Sequence, residues 1–116
     1  MRPRDVPSLL TDILGACDVI AAAAAAGREE YLNDPVRRSA VERQIEVIGE
    51  SLRRLLQLEP GLTLRIHEAR EVIRFRNFLA HGYFLVDHTA VWKIVQTDVP
   101  TLRSKAAEIL EERRNP

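Results

Sequence analysis

The sequence predicts an all-α fold, an antiparallel bundle of four to five helices, and three observations predict it. Only 5% of residues are aromatic in a chain that is 46% hydrophobic. Aliphatic side chains and alanine must therefore fill the core, which suits helices better than sheets. Apolar residues recur at steps of three and four, and no segment alternates over the length of a strand. Proline, glycine and aspartate stand where helices would begin and end. A chain of 116 residues fits one domain, taken as residues 1–116.

The first helix is expected from about Asp5 or Pro7 to Ala26. Pro7 suits a first turn, and Gly27 suits the position just past a helix end. Leu10, Ile13, Leu14, Cys17 and Ile20 form its apolar stripe, and Ala21 to Ala26 allows a close neighbour. "REEYLNDP" reads as a charged connector. Asp34 caps and Pro35 opens the second helix, whose stripe is Val41, Ile45, Ile48, Leu52 and Leu55. Gly49 in mid-helix costs propensity and points to close packing there. Pro60-Gly61 ends this element. A third helix is expected from near Thr63 to Leu79 or Ala80, with Ile66, Ala69, Val72, Ile73 and Phe75 on its apolar side. Gly82 ends or bends it. Asp87 caps a fourth helix through Val91, Val95, Leu102, Ala106 and Ile109, which Pro100 kinks or splits. The longer helices reach roughly 30–35 Å. That is generous for this chain and leaves apolar surface that a homodimer would bury.

Charge and cysteine content narrow the function. Net charge is zero, which argues against broad, charge-driven nucleic-acid binding. The distribution is uneven: residues 1–34 carry 3 Arg and 6 acids, and residues 35–83 carry 9 Arg and 6 acids. Of 17 basic residues 15 are Arg, the better phosphate fork, although a GC-rich genome would supply the same bias. A single cysteine, Cys17, makes neither an internal disulfide nor a cysteine-based zinc site and reads as a core residue. The absence of a long apolar run in Met1 to Leu10 predicts no signal peptide. "VIAAAAAAG" is too short to span a bilayer, so the expected location is cytoplasmic, without a membrane partner.

Most candidate motifs fail. "HEARE" (His67 to Glu71) lacks the second histidine of a zinc helix, so no metal site is expected. His88 reads as a first-turn residue behind Asp87. There is no phosphate loop and no nucleophile elbow. Glu46 and Glu50 share a helix face and can simply be solvated.

"RNFLAHGY" (Arg76 to Tyr83) remains. Arginine, amide, histidine and tyrosine can merely decorate a helix end. They can also do chemistry: histidine takes and gives a proton near neutral pH, and arginine stabilises charge growing on a phosphoryl group. Together they suit metal-free RNA cleavage by the ribose 2′-OH, with Asn77 orienting a group and Tyr83 binding a base or phosphate or carrying a modification. At about 100° per residue, Arg76 and His81 lie roughly 140° apart on a straight helix. A joint role needs a break at Ala80-His81-Gly82 or a second chain.

"RNFLAHGYFLVD" resembles the signature of the HepT-like branch of the HEPN superfamily: Arg, four residues, His, one residue, Tyr. "AVERQIEVIGESL" (Ala40 to Leu52) and "VDHTAVWKIVQTDVPTL" (Val86 to Leu102) resemble that family's second and last helices. The resemblance implies a dimeric helical bundle with two motifs near a shared cleft. It implies the toxin of a type VII toxin–antitoxin pair, a metal-independent endoribonuclease needing no cofactor. Arg76 and His81 would be catalytic with Asn77 in support; Arg74, a second arginine close to the motif that departs from the family pattern, is a possible neighbouring phosphate contact. The implied partner, besides RNA, is an MntA-like nucleotidyltransferase antitoxin that silences the toxin by AMPylation of Tyr83. The added phosphate would bring negative charge where RNA phosphate must sit. The chain departs from the family in having no tryptophan before the third helix; Trp92 is the only one. A rival of another class, favoured by the zero net charge, is a non-catalytic scaffold or nucleotide-binding subunit for a nucleotidyltransferase.

Overall fold

A computed structural model describes residues 4–80 and 86–115. Among the described residues, six α-helices and one 3-10 turn make up the bundle: α1 (Val6–Ala24), α2 (Arg28–Asn33), α3 (Pro35–Leu58), the turn Pro60–Leu64, α4 (Ala69–Ala80), α5 (His88–Gln96) and α6 (Asp98–Arg114). No strand occurs among the described residues. The expected all-α bundle is the fold.

Each long helix forms for local reasons and is then held by what it buries. Asp5 caps α1 by accepting from the Ser8 amide at 2.9 Å, with Pro7 in the first turn. Leu9, Leu10, Ile13, Ala16, Cys17 and Ile20 lie on its buried stripe. By length and apolarity α1 would suffice to cross a bilayer; in this fold its buried stripe packs on α3 and α6. Burial pushes the Cys17 thiol up to about 12, as befits a core residue. Asp34 caps α3 through the Val36 amide at 2.9 Å. All five stripe residues of α3, Val41 to Leu55, are fully buried. Each such side chain contributes about 1.5–3 kcal/mol relative to exposure.

Three expectations are revised. The first helix stops at Ala24, where Gly27, at φ 100°, turns the chain and donates to the Ala24 carbonyl at 3.0 Å. Only glycine takes that φ without strain. The charged connector is the short helix α2. Its Arg28, Glu29 and Glu30 face solvent while Tyr31 is fully buried, 5.3 Å from the Trp92 ring of α5. The third helix starts at Ala69 rather than near Thr63. Pro60–Leu64 forms a 3-10 turn instead, with the Thr63 hydroxyl donating to the Pro60 carbonyl. Ile66 is nevertheless in the core.

The expected fourth helix is split, as Pro100 foretold, though the joint is Thr97. Pro100 then occupies the first turn of α6, where its missing N–H costs nothing. Asp87 caps α5 through the Thr89 and Ala90 amides. His88 follows in the first turn.

Candidate active site

The candidate site is built where α4 packs across the middle of α3. Gly49 is the reason the two helices can meet so closely. A Cβ on Gly49 would lie 2.6 Å from Arg76 Cγ and nearer still to Arg76 Cβ. The stem of Arg76 lies directly on the bare backbone of Gly49, which accounts for a glycine in the middle of a 24-residue helix.

The next residue receives the head of the same arginine. Arg76 Nη2 lies 3.2 Å from Glu50 Oε2, and both side chains are covered, at 30% and 28% exposure. Arg76 Nη1 donates to Asn77 Oδ1 at 3.1 Å. Arg76 Nε is buried and has no hydrogen-bond partner among the described residues. Packing below and a carboxylate at the head hold the motif arginine in one place.

Glu50 is shared. Arg53 donates to both its oxygens, at 2.7 and 3.2 Å, and Arg54 Nε donates to Oε1 at 3.0 Å. Residues three and four apart share a helix face, so this arrangement follows from the spacing in "ESLRR". The Arg53 guanidinium, with Arg54 and Arg76 adding to it, holds the Glu50 carboxyl down to about 2 against the opposing effect of its partial burial. Glu50 is therefore fully ionised near neutral pH.

These groups open onto a cleft of about 350 Å³ between the start of α1, α3 and α4. Arg54, Arg76 and Glu50 line it, with Arg43 and Glu46, 3.4 Å apart, and the ion pair Arg4–Asp12. Glu50 and Arg54 were not picked out by the sequence motifs, since Glu50 also fits a solvated helix face. The available signal was a carboxylate followed at three and four residues by arginines, beside a mid-helix glycine.

Of the residues singled out from sequence, the structure brings Arg76 and Asn77 together. Arg74 is elsewhere: it is exposed, pairs with Glu71 at 3.1 Å and lines a separate hollow with Phe75, Phe78 and Asp87. His81 and Tyr83 lie outside the described residues, as does the helix break expected at Gly82. Among the described residues no group of three or more His, Cys, Asp or Glu side chains is placed to hold a metal ion.

Comparison with known proteins points one way. The profile of a family described as "Ribonuclease HepT-like" matches residues 13–109. The "Putative RNase MJ1380" of Methanocaldococcus jannaschii is 36% identical over 115 residues, covering 95% of this chain and 100% of the relative. The "Probable ribonuclease HepT" of Thermococcus cleftensis is 38% identical over 80 residues, covering 66% of this chain and 69% of the relative. A second M. jannaschii protein, "Putative RNase MJ0125", is 28% identical over 117 residues, covering 97% of each. No solved structure matches the chain significantly.

Proposed function

The chain belongs to the ribonuclease HepT-like family, and from that premise we propose that it is a metal-independent endoribonuclease, the cytoplasmic toxin of a toxin–antitoxin pair. RNA is the substrate that membership of a ribonuclease family carries. The finer reading rests on "RNFLAHGY" and on how its arginine is held.

The chemistry is an internal transesterification. His81 takes the proton of a ribose 2′-OH, the 2′ oxygen attacks the adjacent phosphorus, the bond from phosphorus to the 5′ oxygen breaks, and that oxygen leaves with the proton that His81 gives up. The products are a 2′,3′-cyclic phosphate and a 5′-hydroxyl end. One histidine does either proton transfer well near its own pKa. Arg76 stabilises the charge that grows on the non-bridging oxygens, and Asn77, bonded to Arg76, helps to orient it. The observation that carries this reading is the seating of Arg76 on Gly49 and Glu50. A charge stabiliser is effective in proportion to its pre-organisation, and a merely decorative helix-end arginine has no need of such a seat.

The protein acts as a homodimer on this reading: on a straight helix Arg76 and His81 would diverge by roughly 140°, and a second copy, rather than a break at Ala80-His81-Gly82, would complete the pair. The proposed partner is an MntA-like nucleotidyltransferase that AMPylates Tyr83. The phosphate added there repels the RNA backbone from the site. Cleavage of RNA by partner-free protein with unmodified Tyr83, lost in His81→Ala, tests the enzyme. AMP transfer to Tyr83 by a nucleotidyltransferase, read as a mass increase absent in Tyr83→Phe, tests the regulation.

A further inference from the structure

We propose that the arginine cluster around Glu50 is a binding subsite for an RNA backbone phosphate next to the one being cleaved, with Arg54 as its principal contact. The proposal deepens the ribonuclease reading and rests on it for the identity of the strand.

The charge count carries it. Three guanidinium groups, those of Arg53, Arg54 and Arg76, surround the single carboxylate of Glu50. Three positive charges and one negative leave +2 at this point, on a chain whose net charge is zero. The rest of the cleft is balanced: Arg43 stands against Glu46, and Arg4 against Asp12. Arg53 braces Glu50 from outside the cleft, so the cleft lining itself holds an excess of one positive charge, at Arg54 and Arg76 against Glu50. Arg54 uses only its Nε on Glu50, and its side chain is 53% exposed. Its two terminal nitrogens remain to grip a phosphodiester, the bidentate role for which arginine is suited. Arg76 belongs to both places, so a strand held by Arg54 runs on towards the catalytic motif.

Glu50 has a distinct part. It makes no contact with substrate in this arrangement; it is a positioning residue that fixes three flexible cations before the strand arrives. Without it each arginine would be ordered only on binding, at an entropic cost per side chain.

The test uses a 2′-O-methyl RNA oligonucleotide, which lacks the attacking hydroxyl, and measures affinity by fluorescence anisotropy across a salt series. Arg54→Gln should bind roughly tenfold more weakly than the parent, and its log–log salt slope should be shallower by about 0.7. Arg114→Gln, the same charge change at the far end of α6, should bind like the parent. Both variants should keep the parent's helicity, since both side chains are exposed. Equal affinity and slope for the two variants would overturn the subsite, as would a parent that does not bind the oligonucleotide. Displacement by inorganic phosphate or AMP as readily as by a longer strand would overturn it too, showing a free-phosphate site instead. Cleavage of ordinary RNA by the same preparations separates the two readings. A cleaving parent whose Arg54→Gln variant binds normally removes the subsite and leaves the ribonuclease. Arg54-dependent binding without any cleavage removes the ribonuclease and leaves the subsite.

Discussion

Gly49 and Arg76 meet across the α3–α4 crossing with no room for one further carbon atom between them. Glu50, the very next residue, takes the guanidinium of the same arginine at 3.2 Å. Two adjacent positions of α3 therefore set both the depth and the direction of the motif arginine.

Alanine at position 49 should disturb both stability and activity. It would gain about 1 kcal/mol of helix propensity. It would also overpack against Arg76 Cβ, which no rotamer change can move, at a cost of about 1–3 kcal/mol. Overpacking wins, and urea unfolding should show a net loss of about 1 kcal/mol. Cleavage should fall tenfold or more as Arg76 leaves its seat. Unchanged stability with full activity would contradict the close crossing.

Replacing Glu50 by Gln should split the kinetic constants. The carboxylate fixes Arg76 but does not touch RNA, so kcat should fall about tenfold. RNA affinity should change less than kcat, because losing a negative charge from the cleft offsets the entropic cost of ordering the arginines on binding. Arg54→Gln should do the reverse, weakening binding more than turnover. Steady-state kinetics on the two variants side by side checks this.

The same residue gives a pH signature. Glu50 titrates at about 2 in the folded chain against an ordinary 4.5. A depressed carboxyl contributes stability above its unfolded pKa and loses it as pH falls through the folded one. Stability should therefore decline between about pH 4.5 and 2, and Glu50→Gln should flatten part of that decline. Chemical unfolding at stepped pH reads the difference. Parallel curves for parent and variant would mean that the arginines do not hold the carboxylate in solution.

Tyr31 tests the short helix α2. Its ring is fully buried against Trp92, and its hydroxyl has no hydrogen-bond partner among the described residues. Tyr31→Phe should be neutral or stabilising by up to about 1 kcal/mol, because it removes an unsatisfied polar group. Tyr31→Ala should cost about 3–5 kcal/mol. A surface connector would register neither change.

How much of this was legible beforehand depends on the length of each pattern. The stripe of α3 repeats over four turns, and Asp34-Pro35 marks its start, so burial and boundary were both readable. Asp87 and Pro100 likewise announced two helices in place of one. Helix α2 was not readable. Six residues are too few for a periodicity, and four of them, Arg28, Glu29, Glu30 and Asn33, look like a loop; its one core residue is placed only by Trp92, more than sixty positions away. The start of α4 was misplaced because Ile66 is buried without being helical. In the site, the motif named Arg76 and Asn77. Gly49 hinted at a close approach, but nothing in the sequence said which side chain would occupy the space. Glu50 was missed for the same reason: a carboxylate with arginines three and four residues on is common on a solvated helix face, and only the crossing of α4 makes it a seat.

The most direct test of the central claim is RNA cleavage by the protein expressed without any partner, in EDTA, beside its His81→Ala variant, with Tyr83 shown by mass spectrometry to be unmodified. The account predicts cleavage by the parent, leaving 2′,3′-cyclic phosphate ends, and none by a folded His81→Ala. A folded, unmodified parent that leaves a broad set of RNAs intact would contradict it, as would a variant that cleaves as well as the parent.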